Sequence, residues 1–190
     1  MFKDLVYKNR SYRGYDEDYK FTKEKLLEYV DLTRFTASSI NMQPLMYHIV
    51  YEKNEVDKVQ GMTKWARALP EMTLPHEGMC PTGFIIICQD TNKAPNLARF
   101  QKDIGIVAQT ILLAAVEDEL GGCMIGNFKP EEVKSELAFA ENIEPMLIVA
   151  LGKPKEEIVI TEVKDNDVNY YRDDNDVHYV PKRALEDIII

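Results

Sequence analysis

The longest apolar stretch of the chain runs from Ile104 to Val116, and Gln109 and Thr110 are its only polar side chains. A helix that is apolar on nearly every face must be buried on all sides rather than along one stripe. It is too short to cross a membrane, because a span needs about 20 apolar residues, and an acidic run begins at Glu117. The pattern predicts the central helix of a core, partly covered by a second subunit.

Three glycines follow this helix closely, at Gly121, Gly122 and Gly126. Glycine adopts positive φ without steric cost and lets other groups approach the backbone closely. The spacing therefore predicts a glycine-bearing turn at the exit of the helix. Helix and turn together indicate a site for a flat ligand at the end of the core.

Two shorter apolar runs, FIIIC at 84–88 and MLIVAL at 146–151, predict strands that are buried on both faces. Between them lie the apolar helix and a second helix that Pro130 opens. Strands separated by helices indicate an α/β or α+β sandwich.

Two further helices are predicted from caps and helical spacing. Thr22 is placed to cap the first, and Asn54 is placed to cap the second. In the second helix, Val56, Val59 and Met62 recur at helical spacing and predict its buried face.

The chain length of 190 residues and a hydrophobic content of 45% suit a single domain spanning residues 1–190. Residues 64–81 contain Trp65, three prolines and a glycine, which predicts an irregular loop or lid. Residues 165–190 begin acidic and poor in aliphatic side chains, which predicts an extended C-terminal arm.

Charge and composition exclude several classes of protein. There are 23 Lys and Arg residues against 32 Asp and Glu, a net charge of -9, which repels nucleic acid and anionic membranes. The N-terminus lacks the apolar core of a signal peptide, so a cytoplasmic location is expected. The three cysteines and three histidines are scattered without ligand spacing, so neither a metal site nor a disulfide framework is predicted.

Two polar segments are candidates for ligand binding. Arg10, Ser11 and Arg13 place two planar guanidinium groups around a hydroxyl, which suits a phosphate group, although a solvated basic turn has the same composition. The loop SSINMQP at 38–44 crowds hydroxyls and amides that can pair with the edge of a heteroaromatic ring. An ordinary capped loop is the other interpretation, and composition alone leaves both open.

Five motifs together resemble the FMN-dependent nitroreductase family, in the order and with the spacing of that family. They are NRSYR at 9–13, SSINMQP at 38–44, D-x-G-I-x-x-Q at 103–109, ELGGCMIGNF at 119–128 and HYVPKRALEDI at 178–188. The resemblance implies an α+β fold, a nitroreductase-like three-layer sandwich whose central, mostly antiparallel sheet is flanked by helices. It also implies an intertwined homodimer with two active sites shared between subunits.

The same resemblance implies a flavin oxidoreductase with FMN as cofactor and NADH or NADPH as electron donor. Hydride would pass through flavin N5 to a nitroaromatic, quinone or similar small acceptor by a ping-pong mechanism, with no catalytic side chain. A non-catalytic dimer that binds flavin for storage or sensing is the alternative. The implied FMN contacts fall into three groups: Arg10, Ser11, Arg13, Lys182 and Arg183 at the phosphate and ribityl chain; Ser38, Ser39 and Asn41 from the partner subunit; and Ile125, Gly126 and Asn127 beside the flavin ring.

Overall fold

The computed structural model describes all residues, 1–190. It contains five helices, α1 (Phe2–Lys8), α2 (Lys23–Thr33), α3 (Lys53–Met62), α4 (Gln101–Glu117) and α5 (Pro130–Glu136). Its eight strands are β1 (Tyr15–Asp16), β2 (Leu45–Val50), β3 (Gly83–Asp90), β4 (Gly121–Ile125), β5 (Ile143–Pro154), β6 (Ile158–Glu162), β7 (Tyr171–Arg172) and β8 (His178–Lys182). None of the helices has the length and apolar character that crossing a membrane requires.

The five strands β1 to β5 form the central sheet, in the order β1-β5-β3-β2, with β4 also paired to β5. Every pairing in this sheet is antiparallel. Every residue of β3 is buried, as its continuous apolar run predicts. The predicted strands at 84–88 and 146–151 are therefore confirmed, as parts of β3 and β5.

Helices cover both faces of the sheet, because side chains alternate between two cores along β3. Ile85 and Ile87 pack with α2 and α4 in one cluster. Phe84 and Ile86 pack with α3 and α5 in the other. This helix–sheet–helix arrangement confirms the predicted α+β three-layer sandwich.

The capping predictions have different outcomes. Thr22 caps α2, and its Oγ1 accepts a hydrogen bond of 3.2 Å from the Lys25 backbone N–H. The prediction that Asn54 caps α3 is wrong, because the Glu52 carbonyl already accepts the helical hydrogen bond of Val56 at 2.9 Å. The first turn of α3 consists of polar residues, so the helix begins before its apolar face does. Glu52 is the N-cap.

The predicted glycine turn after the apolar helix is also wrong in part. Gly121 and Gly122 lie in strand β4, and the change of direction occurs before them, where Glu119 has a φ of 60°. A Cβ on Gly122 would lie 2.2 Å from the Ala150 carbonyl oxygen. Gly122 is thus required by the close packing of β4 against β5 rather than by a turn.

Helix α4 is not buried on all sides within one chain, so the cover that the sequence predicts from a second subunit stays a prediction. Eight of its residues are buried, but the side chain of Ile106 is 39% exposed. The exposed apolar side chains Phe35 (77%) and Ile40 (65%) belong to the segment that follows α2. All three apolar side chains are therefore exposed to solvent on the single chain.

The C-terminal segment forms a second, three-stranded sheet, in the order β6-β8-β7. It is fastened to the rest of the chain by an ion pair between Arg172 and Glu156, whose side chains are only 3% and 2% exposed. Glu156 also accepts a hydrogen bond from the Arg13 backbone N–H. Residues 63–82, by contrast, contain neither helix nor strand.

Candidate functional site

A cavity of about 390 Å³ opens where β4 ends, and four separate parts of the chain line it. The lining includes the predicted site residues Arg13, Ile125, Gly126 and Asn127. The remaining lining residues are Lys64, Trp65, Ala66, Arg67, Cys123, Met124 and Tyr170. Residues predicted from the N-terminus and from the segment after α4 are therefore brought together in one place.

The N-terminal basic segment runs alongside β4, and of its residues Arg10, Ser11 and Arg13 only Arg13 lines the cavity. Ser11 forms an isolated parallel bridge with Gly122, and the Tyr12 backbone N–H donates a 3.1 Å hydrogen bond to the Gly122 carbonyl. The Arg10 side chain donates to the Val6 carbonyl at 2.9 Å, while its Nε is buried without a hydrogen-bond partner. A buried donor without a partner is rare in native proteins, so Arg10 has a hydrogen bond left to offer a ligand.

Arg13 is held at the cavity wall by two contacts. Its guanidinium donates a 3.1 Å hydrogen bond to the Ser11 carbonyl oxygen. The guanidinium carbon also lies 4.9 Å from the centre of the Tyr170 ring, within the range of a cation–π interaction. The side chain is thus oriented without an acidic partner, so its positive charge is available to a bound anion.

The segment Ile125–Asn127 presents its backbone to the cavity. A Cβ built on Gly126 would meet no heavy atom within 4 Å, so the space beside this backbone is open. The Asn127 carbonyl accepts a 2.9 Å hydrogen bond from the Lys64 backbone N–H, which joins this segment to the irregular one. A flat ring has room to lie against Gly126.

The charge of the cavity is opposite to that of the chain. Its lining contains the cations Arg13, Lys64 and Arg67 and no carboxylate, although the net charge of the whole chain is -9. The side chains of Lys64 and Arg67 take part in none of the ion pairs of the structure. Unpaired cations around a concave surface favour an anionic ligand.

Cys123 lines the same cavity but is a poor candidate for thiol chemistry. Its side chain is buried, and burial raises the pKa of the thiol, which the neighbouring Arg13 guanidinium offsets only in part. The thiolate is the reactive form of cysteine, so Cys123 stays a protonated, space-filling group at neutral pH.

The other predicted site residues lie elsewhere in the single chain. Ser38 and Ser39 hydrogen-bond to Asp103 at the start of α4, and Asn41 follows in the same short turn. Lys182 ends β8, and Arg183 donates a 2.6 Å hydrogen bond to Asn166 Oδ1. None of these residues lines the cavity around Arg13.

A larger cavity of about 840 Å³ lies away from these motifs, beside the first turns of α2 and α3. Its lining contains five carboxylates and three lysines, so it has an excess of negative charge. This surface does not suit a phosphate-bearing ligand. The smaller, cationic cavity is therefore the candidate site.

The predicted site residues did not include the lining residues Lys64, Trp65, Arg67 and Tyr170. The first three belong to the irregular segment that has no periodic pattern, and Tyr170 lies in the acidic C-terminal segment. The available signal was the pair of cations flanking the only tryptophan of the chain, in a chain that is otherwise acidic.

The fold and the cavity define an α+β protein that covers an antiparallel sheet with helices and presents a cationic ligand site at one strand end. The model of the nitroreductase family matches residues 6–153. The chain belongs to the nitroreductase family.

Individual relatives agree with this assignment. A protein of Archaeoglobus fulgidus, provisionally named NADH dehydrogenase/NAD(P)H nitroreductase, is 25% identical over 170 residues, which cover 85% of this chain and 90% of the relative. The crystal structure of a nitroreductase family protein from Clostridium difficile 630 superposes with a TM-score of 0.62 at 25% identity, covering 80% of this chain and 84% of that one. An FMN-dependent nitroreductase from Clostridium difficile R20291 shares the fold, with a TM-score of 0.65 at 22% identity and coverages of 80% and 87%.

Proposed function

We propose that the chain is an FMN-dependent oxidoreductase that transfers electrons from NADH or NADPH to a nitroaromatic, quinone or similar small acceptor. FMN, when bound, supplies the hydride chemistry, which proceeds in two half-reactions at one site. The observation that most supports this proposal is that Arg13 and the open backbone of Gly126 line the same cationic cavity. Family membership and the FMN-dependent relative with the same fold support the choice of cofactor.

The residues of the site fit this cofactor on two counts. The orphaned Arg10 Nε and the guanidinium of Arg13 provide charged donors for phosphate oxygens. The open space beside Gly126 admits a planar ring against backbone amides. Ser11, Lys182 and Arg183 are proposed to complete the phosphate and ribityl contacts, and Ile125 and Asn127 those beside the ring.

The protein's own groups would bind and orient rather than react. The cations of the cavity hold negative charge, and the apolar side chains of Trp65, Met124 and Ile125 limit access of water to it. Neither a Ser-His-Asp arrangement nor a reactive thiolate is needed, in keeping with the protonated Cys123.

The active unit in this proposal is a homodimer in which the loop that carries Ser38, Ser39 and Asn41 reaches the cofactor of the partner subunit. Two features support it: these residues lie away from the cavity of their own chain, and the apolar side chains Phe35, Ile40 and Ile106 are exposed in the single chain. Exposed apolar surface of this kind marks an interaction site. A cytoplasmic location stays a prediction from the sequence.

Purification gives the first test. The account expects a yellow protein, or a colourless one that takes up added FMN in a ratio of one FMN per chain, and a dimer in sedimentation. A protein that stays colourless after incubation with FMN would contradict the proposed function, and a stable FMN-loaded monomer would contradict the shared site. A protein that binds FMN but accepts no electrons from NADH or NADPH would favour the storage or sensing alternative.

A further inference from the structure

The loop from Ser38 to Gln43 has an unusual backbone. Ile40, Asn41 and Gln43 have φ values of 50°, 53° and 50°. Positive φ is unfavourable for residues other than glycine, and most of all for a β-branched residue such as Ile40. Such a conformation persists only where surrounding contacts impose it.

Asp103 supplies those contacts from the first turn of α4. Its carboxylate is buried, with only 3% of the residue exposed. The Ser38 hydroxyl donates to Asp103 Oδ2 at 2.7 Å, and the Ser39 backbone N–H donates to the same oxygen at 2.9 Å. One carboxylate oxygen thus fixes two consecutive residues at the start of the loop.

The hydroxyl of Ser38 also links the beginning of the loop to its end. Its oxygen accepts a 3.1 Å hydrogen bond from the Gln43 backbone N–H, while its proton is given to Asp103. The Gln43 side chain in turn donates to Asn41 Oδ1 at 3.0 Å. The two ends of the loop are therefore tied to one buried carboxylate.

The hydrogen bonds also determine which groups of the loop are free for a ligand. The Ser38 hydroxyl proton and the Ser39 backbone N–H are both committed to Asp103. Among the side chains of the loop, the Ser39 hydroxyl and the Asn41 amide donate no hydrogen bond within the chain. The role expected of Ser38 therefore changes, because its hydroxyl supports the loop and is not free to donate to a ligand.

We infer that Asp103 is a positioning residue that holds the Ser39 hydroxyl and the Asn41 amide in place for the FMN of the partner subunit. This inference rests on the proposed function and deepens it. Asp103 touches no ligand itself, and it acts only through the hydrogen bonds to Ser38 and Ser39. Because both bonds end on one oxygen, the carbonyl oxygen of an asparagine can accept both.

The test compares Asp103→Ala and Asp103→Asn in the full-length protein, by FMN titration and by amide hydrogen exchange of residues 38–43. Asp103→Ala is expected to speed exchange in this loop and to weaken FMN binding about tenfold or more, the factor for one lost hydrogen bond to a charged group. Asp103→Asn is expected to stay within about threefold of the wild type, because it retains the acceptor.

Asp118 offers a matched control at the other end of α4. It accepts hydrogen bonds from the Tyr29 hydroxyl at 2.8 Å and from Lys25 at 3.2 Å, without contact to the loop. Asp118→Ala is expected to lower the melting temperature while leaving FMN affinity and exchange of residues 38–43 unchanged. Should Asp103→Ala not fold, Ser38→Ala removes the two hydrogen bonds of the Ser38 hydroxyl, to Asp103 and from the Gln43 backbone N–H, and is expected to raise loop exchange in a folded protein.

The inference is overturned if Asp103→Ala shows the same exchange rates of residues 38–43 and the same FMN affinity as Asp118→Ala. If Asp103→Ala does not fold, Ser38→Ala takes its place in this comparison. The inference is also overturned if Asp103→Asn is as damaging as Asp103→Ala, because charge rather than an accepting oxygen would then be decisive. If the wild type takes up no FMN, the proposed function fails, whereas the exchange comparison still decides whether Asp103 orders the loop.

Discussion

The guanidinium carbon of Arg13 lies 4.9 Å from the centre of the Tyr170 ring, so the N-terminal and C-terminal parts of the chain share one wall of the cavity. The two residues are far apart in sequence, and the buried pair of Glu156 and Arg172 holds their segments together. The candidate site therefore depends on the docking of the small C-terminal sheet as well as on the central one.

Replacing Arg13 by alanine should weaken FMN binding by about ten- to a hundredfold, since a hydrogen bond to a charged group contributes about 1.5–3 kcal/mol. Titration of the apoprotein with FMN, followed by flavin fluorescence, measures the effect. Arg99 is an exposed arginine outside the cavity lining and provides the control, Arg99→Ala. Equal affinities of the two variants would remove Arg13 from the site.

Gly122 and Gly126 are expected to respond oppositely to added side chains. Gly122→Ala places a Cβ 2.2 Å from the Ala150 carbonyl oxygen, so it should cost roughly 3 kcal/mol of unfolding free energy. Gly126→Val points into open space and should leave the melting temperature nearly unchanged, while its side chain occupies the volume proposed for the flavin ring. Denaturant unfolding and FMN uptake separate the two effects. Normal FMN uptake by Gly126→Val would place the ring elsewhere.

Arg172→Met should destabilise the protein by about 3–5 kcal/mol, because it leaves the Glu156 carboxylate buried without its partner. The double variant Glu156→Gln with Arg172→Met should regain part of that loss, since no unpaired charge is then buried at this pair. Urea unfolding of the two variants beside the wild type provides the measurement. A single variant as stable as the wild type would mean that the ion pair does not fasten the C-terminal sheet.

Acidification should destabilise the fold through His178. Both ring nitrogens of His178 are buried without partners, and burial, together with Arg13 and Arg172, lowers its pKa to about 4 from an ordinary value of 6.5. The folded state therefore keeps His178 neutral where the unfolded chain would protonate it. The contribution of neutral His178 to the free energy of unfolding is fully present above pH 6.5 and is lost as the pH falls towards 4. The loss amounts to roughly 1–3 kcal/mol.

The variant His178→Phe isolates this effect from other acid-sensitive groups. Asp90 and Asp176, whose pKa values are lowered, also lose stabilising charge on acidification in both proteins. Melting temperatures across this pH range should fall less steeply for His178→Phe than for the wild type. His48→Gln, which changes a half-buried histidine hydrogen-bonded to Glu55, is the matched comparison. Equal slopes for His178→Phe and the wild type would exclude His178 as the source.

The main elements were predictable because burial leaves a strong pattern in the sequence. β3 is apolar on both faces since it lies between two helical layers, and its run of FIIIC shows this directly. β8 was not predicted, because residues 165–190 begin acidic and poor in aliphatic side chains and were expected to form an extended arm. In the structure Pro181 pairs with Thr161 of β6 but lies beyond the short pairing with β7, so it has no hydrogen bond to lose on the β7 side.

Only those residues of the candidate site that belong to short sequence motifs could be predicted. Arg13 and the Ile125–Asn127 segment belong to short stretches whose composition indicated binding. Lys64 and Tyr170 reach the cavity through tertiary packing, from segments without periodicity. The position of Gly122 in a strand was likewise decided by its contact with the Ala150 backbone, which no local pattern encodes.

Electron transfer through bound FMN can be observed by anaerobic mixing of the FMN-loaded protein with NADH and, separately, with NADPH, while the flavin absorbance is followed. We expect bleaching with at least one donor, and recovery of the absorbance when a nitroaromatic or a quinone is added. Flavin absorbance that stays unchanged with both donors would contradict the proposed electron transfer.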